Sequence, residues 1–275
     1  MKPARFDYMK ARSIAEALDA LGDAEVESKV VAGGQSLGPM LNLRLVRPAR
    51  LIDISAIDAL TKVDEADAAV RIGACTTHAW FEDRAKAISG LEPLAHAARG
   101  IAYRAIRNRG TVGGSLAHAD PAGDWPLIAA TWGASIEIQG RSGTRRVAAD
   151  AFMSGAYVTA LQPAELLTAV HWPRLSAQAR WSYRKFCRKP GEFAEAAVAV
   201  LLDPPRRVAR VFIGTPAGRP TALAGLAGDI ARNGREALSE EQLDLACRPA
   251  LHGAPPARQQ ACRAMLRRAL EDILA

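Results

Sequence analysis

Aromatic residues make up only 5% of this 275-residue chain. Its four cysteines, Cys75, Cys187, Cys247 and Cys262, lie far apart, and no C-x-x-C occurs. That scatter argues against a disulfide framework, a structural zinc site or an iron–sulfur cluster held by this chain alone. Reduced, buried thiols are the expectation. No apolar stretch reaches the ~20 residues that a membrane-spanning helix needs. The start, Met1-Lys2-Pro3-Ala4-Arg5-Phe6-Asp7, has no apolar signal core, so a cytoplasmic protein is expected. No run of five or more basic residues and no zinc-finger or recognition-helix pattern is present, so no nucleic-acid partner is expected. Neither G-x-G-x-x-G nor G-K-[ST] occurs, which removes the Rossmann and P-loop readings. Internal repeats and low-complexity tracts are missing too.

The rest of the composition is that of a globular protein, with 49% apolar and 24% charged residues. The length suits one or two domains with a sizeable core. A net charge of +7 with a pI near 9.5 keeps a surface soluble, or offers a docking face to an acidic partner.

Ser13-Ile14-Ala15-Glu16 reads as a capping box, opening a helix that Gly22 ends. A β-branched strand is expected over residues 29–32, a helix over 36–45 and a strand over 50–54, an αβαβ unit with a glycine-rich turn after its first strand. Further strands are expected at 69–73 and 165–172, and a hairpin at 135–139 and 144–148. Helices are expected at 78–87, capped by Thr77, at 92–98 and near 124–132. Pro173-Arg174-Leu175-Ser176-Ala177-Gln178 marks a boundary. Beyond it three strands are expected, at 181–187, 194–202 and 208–214. A last helix follows, with Cys262, Met265, Leu266, Ala269, Leu270 and Ile273 at three-and-four spacing.

Two segments carry the chemistry. Ala32-Gly33-Gly34-Gln35-Ser36-Leu37 and Thr111-Val112-Gly113-Gly114-Ser115 each hold a Gly-Gly pair followed by a small hydroxyl or amide residue. Without a Cβ, backbone amides approach phosphate oxygens closely and φ turns positive freely. A lone Gly-Gly pair is usually only a turn; two such loops together suggest backbone closing on one dinucleotide diphosphate.

The residues 31–54, with Ala32 to Leu37, Leu41-Asn42-Leu43-Arg44-Leu45 and Leu51-Ile52-Asp53-Ile54, resemble the first FAD motif of the molybdenum hydroxylase flavoprotein subunits. These are the medium subunits of carbon monoxide dehydrogenase and xanthine dehydrogenase type enzymes. Ile106-Arg107-Asn108-Arg109-Gly110-Thr111-Val112-Gly113-Gly114-Ser115-Leu116-Ala117-His118-Ala119-Asp120-Pro121 is similar to their second motif, nearly residue for residue. The stretch Pro3 to Tyr8 and the tail around His252-Gly253 also fit, so the resemblance spans essentially the whole chain.

The resemblance implies an α+β protein. A two-subdomain FAD-binding domain of the vanillyl-alcohol-oxidase/PCMH type (residues 1–175, subdomains about 1–57 and 58–175) precedes a C-terminal domain at 179–275. That second domain has a three-stranded antiparallel sheet with helices. It implies FAD as cofactor and no metal in this chain. It implies a subunit relaying electrons from a small iron–sulfur subunit with two [2Fe-2S] clusters through FAD to NAD or another acceptor, while a large molybdopterin subunit oxidises the organic substrate. The assembly expected is a dimer of heterotrimers, a heterohexamer. Rival readings are a stand-alone flavin-dependent reductase or oxidase of the same fold, and a non-catalytic nucleotide-binding assembly module.

By the family pattern, Ala32 to Leu37 and Thr111, Gly113, Gly114 and Ser115 carry the diphosphate, with Lys29 and Val31 beside it. Asp124 falls at a position bonding the ribityl chain; its plain alternative is a helix N-cap before Trp125-Pro126. Leu167 is an apolar contact to the flavin or adenine. Lys185 lies close to the flavin, or is a solvated strand lysine. Phe193 falls where relatives place a tyrosine beside the isoalloxazine, or is a core aromatic. His118 and Asp120 suit a structural or flavin-contact role better than metal binding, since no other histidine has ligand spacing. Arg107 and Arg109 supply positive potential near the diphosphate, or form surface salt bridges. No catalytic nucleophile or base is expected.

Overall fold

The computed structural model describes residues 1–237 and 239–274. The first unit holds β1 (Asp7–Lys10), α1 (Ile14–Leu21), β2 (Ser28–Val31), α2 (Leu37–Asn42) and β3 (Arg50–Asp53). β3 lies between β1 and β2 and pairs parallel with both. Parallel neighbours need crossovers, which α1 and α2 supply. β1 is the element the sequence pattern hides. Its four residues have no apolar alternation and are mostly exposed; pairing with β3 alone makes them a strand. α1 opens as expected, with the Ser13 hydroxyl accepting from the Glu16 amide at 3.1 Å. The Glu16 carboxylate, however, accepts from the Arg12 amide at 2.8 Å, one residue before the cap. α2 is shorter than the expected 36–45, because the chain leaves the helix at Leu43 and Arg44 takes φ of 57°.

The second unit is a five-stranded sheet in the order β4-β5-β10-β6-β7. Its strands are β4 (Val63–Glu65), β5 (Ala69–Gly73), β6 (Ser135–Gly140), β7 (Gly143–Ala148) and β10 (Leu166–Pro173), paired antiparallel. Between β5 and β6 run α3 (His78–Arg84), α4 (Glu92–Arg99), α5 (Arg104–Arg107), α6 (Val112–His118) and α7 (Asp124–Trp132). A short α8 (Ala149–Phe152) and the ribbon of β8 (Met153–Gly155) and β9 (Val158–Thr159) precede β10. The Thr77 hydroxyl caps α3 by accepting from the Trp80 amide. Phe81, Trp125 and Trp172 are fully buried, with the Phe81 and Trp125 rings 4.6 Å apart. Such side chains each contribute roughly 1.5–3 kcal/mol by burial, so α3, α7 and the sheet are held as one block.

The third unit has β11 (Arg180–Phe186), β12 (Ala196–Asp203), β13 (Val208–Gly214) and β14 (Thr221–Ala222), then α9 (Ala224–Asn233), α10 (Glu240–Cys247) and α11 (Pro256–Leu274). Its sheet, ordered β11-β12-β13-β14, corrects the expected three strands to four. The added edge strand has two residues, too few to show a period. All of β12 is buried. Alternate residues point to opposite faces: Ala197, Ala199 and Leu201 join the core around α7, while Ala196, Val198 and Val200 join the core under the last helices. The third unit is thus packed onto the second through one face of its sheet. On α11, Cys262, Met265, Leu266, Ala269, Leu270 and Ile273 are buried, as their spacing requires. No helix among the described residues is long and apolar enough to cross a membrane.

Candidate cofactor site

β2 runs directly into Gly33-Gly34. A Cβ on Gly33 would overlap the Arg109 carbonyl oxygen and stand 2.8 Å from the Gly110 Cα. The first loop therefore touches the segment leading into the second, more than seventy residues away in the chain. Gly34 has φ of 70°, which glycine adopts without strain.

The second loop is held from behind. The His78 amide donates to the Gly110 carbonyl (2.9 Å), Val112 to Thr76 (3.1 Å) and Gly113 to Ala74 (2.9 Å). Thr77 and Thr111 form an antiparallel bridge between these segments. A Cβ on Gly113 would lie 2.5 Å from that of Ala74. The Thr111 hydroxyl caps α6 by accepting from the Gly114 amide at 3.1 Å, and the Ser115 amide donates to the Thr111 carbonyl at 3.0 Å.

The two loops thus differ in what they can still donate. The amides of Val112, Gly113, Gly114 and Ser115 are already engaged. Those of Gly33, Gly34, Gln35 and Ser36 donate to no protein oxygen among the described residues. Unspent amides clustered in a turn suit a phosphate. The Gln35 side chain bonds its own Gly33 carbonyl at 2.9 Å, which stiffens that turn.

Both loops open onto one cavity of about 1010 Å³. That is the upper end of the ~300–1,000 Å³ usual for small-molecule sites and suits a dinucleotide. Each residue that the sequence assigns to cofactor binding lies on its wall, except Lys185. With free amides in one loop, hydroxyls in both and apolar Leu167 on the wall, the residues present fit FAD.

Lys185 sits behind the wall. Only 11% of its side chain is exposed, and its Nζ donates to Asp124 Oδ1 and to the Gly100 carbonyl, each at 2.8 Å. This overturns the solvated-lysine alternative. Asp124 is buried at the first position of α7, while Gly123 holds the cap position, so the N-cap alternative is overturned too. Its Oδ1 also accepts from the Tyr183 hydroxyl at 2.6 Å. Burial, then the Asp124 charge and hydrogen bond, hold the Tyr183 phenol well above its ordinary range, so it remains a donor. Because β11 contributes both Tyr183 and Lys185, the third unit fixes Asp124 on the cavity wall. Asp124 Oδ2 is left without a protein donor among the described residues.

Phe193 is 64% exposed, which removes the core-aromatic alternative. Arg107 is buried. It pairs with Glu82 at 2.8 Å and donates to the carbonyls of Ile101 (2.9 Å) and Ala102 (2.8 Å), so it shapes the 101–103 loop and neither faces a phosphate nor forms a surface pair. Arg109 contributes its backbone to the seam, and its side chain is absent from the wall. His118 packs against Tyr157, the rings tilted by 52° with centroids 5.2 Å apart. Asp120 Oδ1 accepts from the Ala122 amide at 2.9 Å. No three His, Cys, Asp or Glu residues among the described ones are grouped to hold a metal ion.

Sequence reasoning missed His78, Cys75, the 101–103 loop and Gly191 on the wall. Gly191, at φ of 89°, lies so close that a Cβ would come within 2.8 Å of the Ala102 carbonyl oxygen. Burial, then the charge of Asp53, pushes the Cys75 thiol up to about 12, which leaves it inert at neutral pH. No local signal marks these positions, since each reaches the wall by contact between distant segments.

Residues 4–175 match the family described as the FAD binding domain in molybdopterin dehydrogenase. The chain is 35% identical over 288 aligned positions to the 6-hydroxypseudooxynicotine dehydrogenase complex subunit alpha of Paenarthrobacter nicotinovorans, covering 100% of this chain and 96% of that one. It is 37% identical to the carbon monoxide dehydrogenase medium chain of Hydrogenophaga pseudoflava, over 81% of this chain and 78% of the relative. Among solved structures, carbon monoxide dehydrogenase from Hydrogenophaga pseudoflava superposes with a TM-score of 0.90 at 31% identity, covering 99% of this chain and 98% of that chain.

Proposed function

The chain belongs to the family of FAD-binding domains of molybdopterin dehydrogenases, and from that premise we propose that it stands between an iron–sulfur subunit and NAD or another acceptor. Its cofactor is FAD, and it is the FAD-binding subunit of an oxidoreductase of the molybdenum hydroxylase type. Bound FAD supplies the redox chemistry, since a flavin accepts electrons singly and gives them up in pairs.

The chain's own residues hold that group in place. The free amides of Gly33 to Ser36 receive the diphosphate, with the Ser115 hydroxyl opposite. Asp124 Oδ2 accepts from the ribityl hydroxyls while Tyr183 and Lys185 hold its other oxygen. Phe193 and Leu167 face the ring system. Residues 1–175 form the FAD-binding domain, of the vanillyl-alcohol-oxidase/PCMH type, and 179–275 the C-terminal domain. The partners are a small subunit with two [2Fe-2S] clusters and a large molybdopterin subunit, assembled as a dimer of heterotrimers in the cytoplasm.

The observation that carries this reading is the seam at Gly33, where two remote loops meet on one cavity. The full-length match to a relative named as a complex subunit supports a subunit over a stand-alone reductase. Purification of the chain from its own cells tests both parts. The protein should be yellow and should bring down a molybdopterin protein and a ferredoxin-like protein. A colourless chain that takes up no added FAD overturns the flavin reading; a yellow chain that purifies alone overturns the partners.

A further inference from the structure

We propose that His78 is a neutral hydrogen-bond donor to the cofactor, its Nε2–H pointing to an oxygen of the diphosphate at the seam between the two glycine loops. The inference rests on the FAD reading above and adds to the site a residue outside both motifs.

His78 is 6% exposed and lies on the cavity wall. Its Nδ1 receives the Trp125 indole N–H at 3.0 Å. A nitrogen that accepts carries no proton, so in the neutral ring the proton sits on Nε2. Trp125 is itself buried in the core, which fixes the ring's orientation. The Nε2 edge borders Gly110: a Cβ there would stand 2.8 Å from Nε2. Gly110 is also the residue against which Gly33 packs. The free donor and Gly33 thus both border Gly110, on the wall of the same cavity.

Nε2 donates to no protein acceptor among the described residues. Nε2 is not among the enclosed side-chain atoms left without a partner, so it is reached from the cavity that His78 lines, where a ligand oxygen can meet it. Burial, then the charge of Arg107, pulls His78 down to about 4. At neutral pH the ring is an uncharged donor that orients an anion without neutralising it.

The test compares FAD binding by the full chain and two variants. His78→Phe keeps a flat ring and removes the donor. His78→Gln places an amide N–H near the position of Nε2. The expected result is a Kd for FAD raised about tenfold or more in His78→Phe and largely restored in His78→Gln. Equal affinity in wild type and His78→Phe, or no recovery in His78→Gln, overturns the inference. The wild-type protein, labelled with 15N-histidine, gives a second readout that needs no variant to fold. The imidazole N–H of the ring linked through space to the Trp125 indole N–H should shift when FAD is added; that resonance unmoved by FAD overturns the proposal. Wild-type protein that binds no FAD would instead overturn the functional reading on which this one rests.

Discussion

Gly33-Gly34 and Gly113-Gly114 read as the same device, yet the structure uses them differently. In the first loop, Gly33 lets two distant segments touch, and Gly34 turns the chain so that amides stay unspent. In the second, Gly113 packs on Ala74, Gly114 sits within α6, and every amide from 112 to 115 is engaged. The first loop offers donors; the second offers hydroxyls and a rigid wall. Similar sequence therefore marks similar steric need, not the same hydrogen-bonding task.

Four experiments break or sharpen that contrast. Gly33→Ala should cost most, about 3–5 kcal/mol, because its Cβ meets backbone that cannot yield. Chemical denaturation of the FAD-free chain measures it, and a loss under about 1 kcal/mol would show that the seam is loose. Gly114→Val should cost about 1–2 kcal/mol of folding stability, by displacing the Thr111 hydroxyl that caps α6, which leaves the chain folded. The nearest atom to its Cβ is the Thr111 hydroxyl at 2.8 Å; beyond that the branched side chain enters the cavity. FAD affinity should fall about a hundredfold or more, roughly 3 kcal/mol; equilibrium dialysis with FAD checks it.

Acid should act through the brace behind the second loop. His78 is pulled down to about 4, from 6.5. Between those values the unfolded chain holds a proton that the folded chain lacks. Its contribution is complete above about pH 6.5 and is lost as pH falls toward 4, by up to ~3 kcal/mol. Thermal melting of the FAD-free chain across that window should show the decline, and His78→Phe should reduce it, leaving the part due to His96, which burial also pulls down. Gly34→Ala should cost least, ~1–2 kcal/mol, from the positive φ alone, since its nearest neighbour, Val31 Cγ2, is 3.6 Å away. Thermal melting checks this as well, and a cost equal to that of Gly33→Ala would erase the distinction within the first loop.

Most elements with a clear period were legible in the sequence. The hairpin of β6 and β7, the caps at Ser13 and Thr77 and the buried stripe of α11 follow from local rules. β1 and β14 did not, because strands this short show no alternation and exist only through their partners. The site divides in the same way. Its glycine loops were visible as motifs, and their wall positions followed. Lys185 was placed a layer too far forward: nothing in Arg184-Lys185-Phe186 shows that Asp124 and the Gly100 carbonyl lie within its reach. Tyr183 went unnoticed for the same reason.

The order of strands, caps and apolar faces, and the two places where a backbone had to come close to something, are written in the chain, because propensity and side-chain period act between near neighbours. What the backbone comes close to is not. That Gly33 meets Arg109, that Ala74 and Thr76 take the Gly113 and Val112 amides and that β11 reaches Asp124 are matters of which remote segments share a surface. Contacts of that kind depend on the packing of whole layers, and no local pattern encodes them.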